Sequence, residues 1–250
     1  MTTYKIHPIV MGTKVFDMGM MTYQHNYGTP FTIPIYCWYL EGGDKKILVD
    51  TGEMRPIQSE SREESIGGKI YTFEDGLAKW DLKAEDIDFV IHTHLHADHC
   101  ENDYKCSNAT FYIHENELES IHNPHPLDFR YVEDYIYEIE ESGQIEVIRG
   151  SGEQEIIPGI RVLYTPAHTK GGLTVLVDTE KGKAAITGFC VIKENFDPPA
   201  AVRAMEMEVI PPGTSTNTYD AYDMLLQVRD MADILLPLHE PEFASTDTIG

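Results

Sequence analysis

The chain has 250 residues, of which 42% are hydrophobic, and a formal net charge of −23 at pH 7. This length and composition fit one globular unit, so we expect residues 1–250 to form a single domain. The negative charge argues against nucleic acid as a partner, because affinity for nucleic acid depends on lysine and arginine side chains that neutralise phosphates.

The compartment can be predicted from the N-terminus and from the cysteines. The N-terminus lacks a basic region followed by an apolar stretch, and no window approaches the roughly 18 apolar residues of a membrane span. Four cysteines, Cys37, Cys100, Cys106 and Cys190, do not suggest a disulfide scaffold in a chain of this size, although Cys100 and Cys106 are near enough in sequence to pair. We therefore predict a cytoplasmic protein with free thiols and no membrane contact. The oligomeric state stays open, with a homodimer as the candidate assembly.

Strands are predicted along the whole chain from alternating or short continuous apolar runs. The predicted strands cover residues 6–10, 13–16, 35–40, 46–50, 87–91, 110–114, 145–148, 160–164, 173–177, 183–186 and 234–238. Helical patterns lie between several of them, at residues 73–82, 115–122, 128–141 and 218–232. Strands that alternate with helices are typical of an α/β protein.

Three long irregular segments separate these elements and are candidate pocket walls, at residues 18–32, 53–70 and 194–213. In the predicted helix 128–141, an apolar stripe from Phe129 to Ile139 is expected to face the core. His114 and His122 are expected to be surface or capping imidazoles.

A run of four histidines and one aspartate occupies residues 92–99, directly after the predicted strand 87–91. Imidazole nitrogen and carboxylate oxygen are ligands that zinc prefers, and the alternation allows His94, His96, Asp98 and His99 to converge on two neighbouring ions. The alternative, a histidine-rich loop without function, is disfavoured because a dense group of titratable side chains costs stability unless something pairs them.

Three more candidate ligands follow predicted strands later in the chain. His168 lies in a turn after strand 160–164, Cys190 follows strand 183–186, and His239 follows strand 234–238. Asp50, at the end of strand 46–50, is placed to orient a metal-binding histidine.

Five sequence features, taken in chain order, resemble the motifs of the metallo-β-lactamase superfamily across nearly the whole chain. They are Asp50-Thr51-Gly52, the His94/His96/Asp98/His99 run, His168, the turn from Thr187 to Cys190, and His239. The resemblance implies a four-layer αβ/βα sandwich with the metal site at one edge. Within the superfamily, Thr165-Pro166-Ala167-His168 and the closing His239 are similar to the N-acyl homoserine lactonases.

The resemblance also implies a division of the ligands between two metals. His94, His96 and His168 would hold the first metal, and Asp98, His99 and His239 the second. The family usually places a bridging aspartate where this chain has Phe189 and Cys190.

Cys190, followed by Lys193, is similar to the zinc β-lactamases in which a thiolate binds the second zinc and a lysine binds the substrate carboxylate. A thiolate favours zinc over iron or manganese, so we expect two zinc ions, with iron or manganese as the alternative metals. The alternatives are a small buried side chain for Cys190 and a solvated charge for Lys193. The tyrosine that lactonases present nearby is missing, its place falling on residues 191–193, which weakens the case for homoserine lactones as substrates.

The chemistry implied is hydrolysis of a small molecule, with a carboxylate-bearing substrate if Lys193 points inward. A zinc-activated hydroxide would attack the carbonyl of a cyclic ester or cyclic amide, and Asp98 would orient it. The chain has no G-x-S-x-G run that would supply a serine nucleophile. Alternatives are hydrolysis of a β-lactam, a thioester as in glyoxalase II, or a phosphodiester. A non-enzymatic alternative is a metal-binding scaffold or redox protein such as the flavin-partnered di-iron proteins, which have a glutamate where His96 stands.

Overall fold

Two mixed β-sheets form the centre of the molecule in the computed structural model, which describes residues 2–250. The first sheet has six strands, in the spatial order β1 (Lys5–Asp17), β2 (Pro30–Gly42), β3 (Lys45–Val49), β4 (Phe89–Ile91), β5 (Thr110–His114) and β6 (Ile145–Ile148). The strands β1 to β3 pair antiparallel, and β3 to β6 pair parallel.

The second sheet has five strands, all from the C-terminal part of the chain. Its spatial order is β11 (Ile234–Leu236), β10 (Gly182–Ile186), β9 (Leu173–Thr179), β8 (Ile160–Tyr164) and β7 (Glu153–Ile157). Only the pair of β10 and β11 is parallel.

Eight α-helices accompany the sheets within residues 2–250, and seven of them have eight residues or fewer. They are α1 (Glu60–Ile66), α2 (Phe73–Ala78), α3 (Ala97–Cys100), α4 (Glu115–His122), α5 (Tyr137–Glu141), α6 (Lys193–Phe196), α7 (Ala200–Arg203) and α8 (Thr218–Met231). One apolar cluster contains residues of both sheets, a second joins the first sheet to α2, α4 and α5, and a third joins the second sheet to α8. Helix, sheet, sheet and helix layers therefore follow one another, and the predicted αβ/βα sandwich is confirmed.

Strand ends bring the candidate ligands to one edge of the sandwich. Because β3 and β4 are parallel neighbours, Asp50 and His92 follow them at the same edge. The backbone amide of Leu173, at the start of β9, donates to the carbonyl of Thr93 across 2.8 Å and joins the two sheets there.

Several elements differ from the sequence-based predictions. The two predicted opening strands are one strand, β1, whose register shifts between Val10 and Thr13. The segment 53–70, predicted as a loop, contains α1, and β7 was not predicted. The predicted helix 128–141 is α-helical only in α5, with a short 3-10 helix at Glu133–Tyr135, and Phe129 of the predicted core stripe is 85% exposed.

None of the helices within residues 2–250 has the length and apolar character that a bilayer crossing requires. Cys37, Cys100, Cys106 and Cys190 are buried free thiols, as predicted.

Candidate metal centre

Three buried imidazoles converge at the edge where the strands end. His94 and His96 lie in the loop after β4, and His168 lies in the turn after β8. One ligand atom from each residue lies within 4.8 Å of those of the other two. Within residues 2–250, no other set of three or more histidine, cysteine or acidic side chains meets this condition.

The other nitrogen of each of these rings has a partner. His94 Nδ1 lies 3.0 Å from Thr93 Oγ1, and His168 Nδ1 donates to the carbonyl of Thr214 across 2.9 Å. His96 Nε2 is 3.1 Å from a carboxylate oxygen of Asp128. This fits a metal site, because partners on the outer nitrogens fix the rings and leave the inner nitrogens for an ion.

Asp98, His99 and His239 lie on the far side of His94. The ring centroids of His94 and His99 are 4.2 Å apart, and those of His99 and His239 are 5.5 Å apart. Asp98 Oδ1 is 4.0 Å from His99 Nε2. The structure therefore places all six predicted ligands at one edge, with the three histidines of the first metal drawn together more closely than this second group.

The outer nitrogens of the second group are held in the same way. His239 Nδ1 donates to the carbonyl of Pro34, and His99 Nδ1 donates to Asp50, each across 2.9 Å. The structure thus shows Asp50 in contact with a candidate metal-binding histidine, as its predicted orienting role requires. Asp50 also accepts bonds from the backbone amide and hydroxyl of Thr93, so one carboxylate connects both groups.

The electrostatics favour neutral imidazoles at every predicted histidine ligand except His99, where burial favours the neutral form but Asp50 and Asp98 raise the pKa overall. Burial lowers the pKa of His94 and of His168 well below the usual value, and it lowers the pKa of His239 to about 4. Burial opposes ionisation of Asp98, but the neighbouring His99 and His239 lower its pKa overall. Neutral imidazoles and an ionised carboxylate are the forms that bind metal.

His92, the first histidine of the run, has a different role. Its ring lies 2.9 Å from a carboxylate oxygen of Asp103 and 3.4 Å from one of Asp50. Although burial opposes the charged form, these two carboxylates raise its pKa to about 10. His92 is therefore a charged side chain at the start of the loop after β4 that carries His94 and His96, which we call the metal loop.

Cys190 lies beside the cluster but is not among the three side chains that converge. Its Sγ is 3.8 Å from the sulfur of Met21, and it packs in an apolar cluster with Ile33 and Ile35. Burial raises the pKa of the thiol to about 11. Phe189 packs into the core beneath α8, so neither residue at the usual aspartate position supplies a carboxylate.

Replacing Cys190 with alanine tests whether the thiol holds a metal. From this packing, we expect Cys190→Ala to retain the metal held by the three histidines, with affinity within about threefold of wild type. The measurement is the zinc content of both proteins after dialysis against graded chelator concentrations. Loss of one zinc equivalent per chain in the variant would instead establish the thiol as a ligand.

Lys193 forms an ion pair at the surface of the protein. Its side chain is 62% exposed, and its Nζ lies 2.8 Å from a carboxylate oxygen of Glu242. Of the two alternatives for this residue, the solvated charge describes it. In this structure the charge of Lys193 is paired with Glu242, and its predicted contact with a substrate stays a prediction.

Residues that the sequence did not single out support the loops of the site. Glu117 of α4 accepts hydrogen bonds from the backbone amides of Leu95 and Gly171, each across 2.9 Å. Asp128 holds His96, and Tyr131 donates to Glu117 across 3.0 Å. The sequence indicated these three residues only weakly, as polar side chains within segments predicted to be helical.

A sandwich of this topology, with buried histidines converging where its strands end, is the architecture of metal-dependent hydrolases. The chain belongs to the metallo-β-lactamase superfamily, whose family model matches residues 31–228.

The relatives that the chain resembles include lactonases. It is 28% identical to an N-acyl homoserine lactonase of Bacillus cereus over 215 residues, which cover 79% of this chain and 80% of the relative. Its fold is similar to that of an N-acyl homoserine lactone hydrolase with the product N-hexanoyl-L-homoserine bound at the catalytic metal center, with a TM-score of 0.74, 23% identity and coverage of 97% and 95%. A dizinc quorum-quenching lactonase gives a TM-score of 0.69 at 14% identity, with coverage of 99% and 92%.

Proposed function

We propose that this protein is a zinc-dependent hydrolase that opens the ring of a small cyclic ester or cyclic amide. The observation that carries the proposal is the convergence of His94, His96 and His168, each with its outer nitrogen partnered. Residues 1–250 act as one domain in this proposal, since an apolar cluster spans both sheets and the site draws on both.

The relatives favour a lactone over other carbonyl substrates. The curated relative from Bacillus cereus is an N-acyl homoserine lactonase, and one structural neighbour is described with a ring-opened homoserine product at its metal center. The dizinc neighbour supports zinc as the metal and two ions as the number. In this chain, His94, His96 and His168 would hold the first zinc, and Asp98, His99 and His239 the second.

The side chains of this chain would divide the work of ring opening as follows. Zinc, when bound, supplies Lewis acidity towards the carbonyl oxygen and lowers the pKa of a water molecule. Asp98 is 21% exposed, and its lowered pKa keeps the carboxylate ionised, so it can accept a hydrogen bond from the attacking water and orient it. His99 lies beside Asp98, and the positions of His99 and His239 are fixed by Asp50 and by the carbonyl of Pro34.

A substrate panel on zinc-loaded protein tests the proposal. We expect hydrolysis of lactones, with cyclic amides, thioesters and phosphodiesters slower by at least about tenfold, because the site is related to lactonases. Removal of the metal with a chelator should abolish turnover, and added zinc should restore it. Turnover that survives complete metal removal would contradict the proposal, as would bound zinc without hydrolysis of any member of the panel.

A further inference from the structure

A cavity of about 450 Å³ opens over His168. The helix α4 and the segment after it form one wall, and residues 213–216 form the opposite wall. Its lining includes Ser120, Asn123, Tyr131, Thr214, Ser215 and Thr216. Leu127 is its only aliphatic side chain among the described residues, and most of the other lining side chains carry a polar group.

The charge of this cavity is opposite to that of the chain. The chain has 42 acidic and 19 basic side chains, yet the cavity is lined by the basic residues Arg130 and Lys170 and by one carboxylate, Asp128. Asp128 already accepts hydrogen bonds from His96 and from Arg130 Nε. No carboxylate remains in the lining to neutralise the second positive charge.

Arg130 is held in place by the metal loop itself. Its carbonyl accepts a hydrogen bond from the amide of Ala97 across 2.9 Å, and the next residue, Tyr131, forms an antiparallel bridge with His96. The Arg130 Nε donates to Asp128 across 2.8 Å. The backbone of Arg130 is therefore fixed by Ala97. One edge of its guanidinium is fixed by Asp128, the residue that also holds His96.

The outer edge of the guanidinium is uncommitted. Within residues 2–250, Asp128 is the only carboxylate within 4.0 Å of Arg130, and neither terminal nitrogen has a hydrogen-bond partner. The side chain is 35% exposed and faces the cavity. Arg130 and His168 line the same cavity.

We propose that Arg130, with Lys170 beside it, binds a carboxylate on the substrate of the hydrolase proposed above. The two terminal nitrogens of an arginine match the two oxygens of a carboxylate, which gives a charge-assisted bidentate contact. This inference rests on the proposed function and names its substrate class: a small polar lactone or cyclic amide with a carboxylate outside the scissile ring. Lys193, paired with Glu242 on the surface, is not the binding group.

A matched pair of substrates tests the inference. N-succinyl-L-homoserine lactone carries a free carboxylate, and its methyl ester has nearly the same shape without the charge. We expect the zinc-loaded wild type to prefer the free acid in kcat/KM by at least about tenfold, the value of one charge-assisted contact. Arg130→Gln should lower kcat/KM for the free acid by about 10- to 100-fold and change that for the ester by less than about threefold.

Variants and a binding measurement separate the outcomes. Arg130→Lys should restore part of the preference, and Arg149→Gln, which removes the same charge from a side chain that is 68% exposed, should leave it unchanged. Equal loss on both substrates in Arg130→Gln would overturn the inference, because Arg130 would then act only through Asp128. So would a preference that persists in Arg130→Gln or disappears in Lys193→Gln.

If wild type hydrolyses neither lactone, the proposed lactone hydrolysis fails and calorimetry decides the inference separately. The probes are the ring-opened N-succinyl-L-homoserine and its succinyl methyl ester, titrated into zinc-loaded wild type and Arg130→Gln. Binding of the free acid at least tenfold tighter than the ester, dependent on Arg130, would support the inference. Equal binding of both probes would overturn it.

Discussion

Replacing His168 with alanine is expected to remove metal from the cluster and to lower kcat/KM for lactone hydrolysis by about 10³-fold or more. His168 is one of three imidazoles that converge within 4.8 Å, and two remaining histidines make a weak zinc site. A bound metal contributes several kcal/mol to a hydrolytic transition state, and each 1.4 kcal/mol corresponds to about tenfold in rate. The measurements are zinc content by elemental analysis and steady-state kinetics.

His122 provides the matched control for this prediction. It lies at the end of α4 and is paired with Glu133 and Glu140 on the surface, so His122→Ala should retain both zinc and activity. Full zinc occupancy and full activity in His168→Ala would show that the cluster is not the catalytic metal site.

Replacing Glu117 with alanine is expected to lower the free energy of unfolding by about 3–5 kcal/mol and to weaken zinc binding. Glu117 is 1% exposed, and its carboxylate accepts three hydrogen bonds, from the Leu95 amide, the Gly171 amide and the Tyr131 hydroxyl. A buried donor left without a partner costs about 1–3 kcal/mol, so three such donors account for the expected loss.

The location of Glu117 explains why zinc binding should suffer as well. The Leu95 amide lies between His94 and His96, and the Gly171 amide lies three residues after His168. A Cβ added at Gly171 would come within 2.5 Å of the Glu117 backbone nitrogen, so only glycine permits this close approach of the two segments. One carboxylate therefore ties together the two loops that carry the three converging histidines.

Urea unfolding of the metal-free protein and zinc titration of the folded protein measure the two effects separately. Glu119→Ala, an exposed position on the same helix, should change stability by less than about 0.5 kcal/mol. Glu117→Gln keeps the size and one acceptor oxygen, and its stability should lie between those of wild type and Glu117→Ala. A Glu117→Ala protein as stable as the Glu119→Ala control would contradict this account.

Much of the candidate site could be predicted from local spacing. His94, His96, Asp98 and His99 follow a short buried strand at alternating or adjacent positions, so they leave the strand together at the same edge of the sheet, the first two in a loop and the last two in α3. His168 and His239 also follow apolar strands, so an edge where strands end was a sound prediction for them. Asp50 was predicted as an orienting residue for the same reason, and the structure confirms its bond to His99.

Other features followed from tertiary contacts alone. The segment 128–132 has a helical apolar pattern, yet it pairs with the metal loop, where the Arg130 carbonyl accepts from Ala97. The backbone of segment 128–132 therefore forms hydrogen bonds with this loop in place of the bonds that a helix would supply. The Lys193 side chain is paired with Glu242, about 50 residues away. The sequence around Lys193 gives no indication of this partner.

The sequence by itself thus predicted most of the strands along the chain, the resemblance to a metal-dependent family and the set of candidate ligands, because these depend on residue spacing along one chain. Only the tertiary structure decided that Asp128 holds His96, that Glu117 joins the two ligand loops, and that Arg130 rather than Lys193 faces the cavity. These contacts join segments that are distant in sequence and are brought together when the two sheets pack on their shared apolar cluster. The hydrophobic periodicity of one segment carries no information about its distant partner.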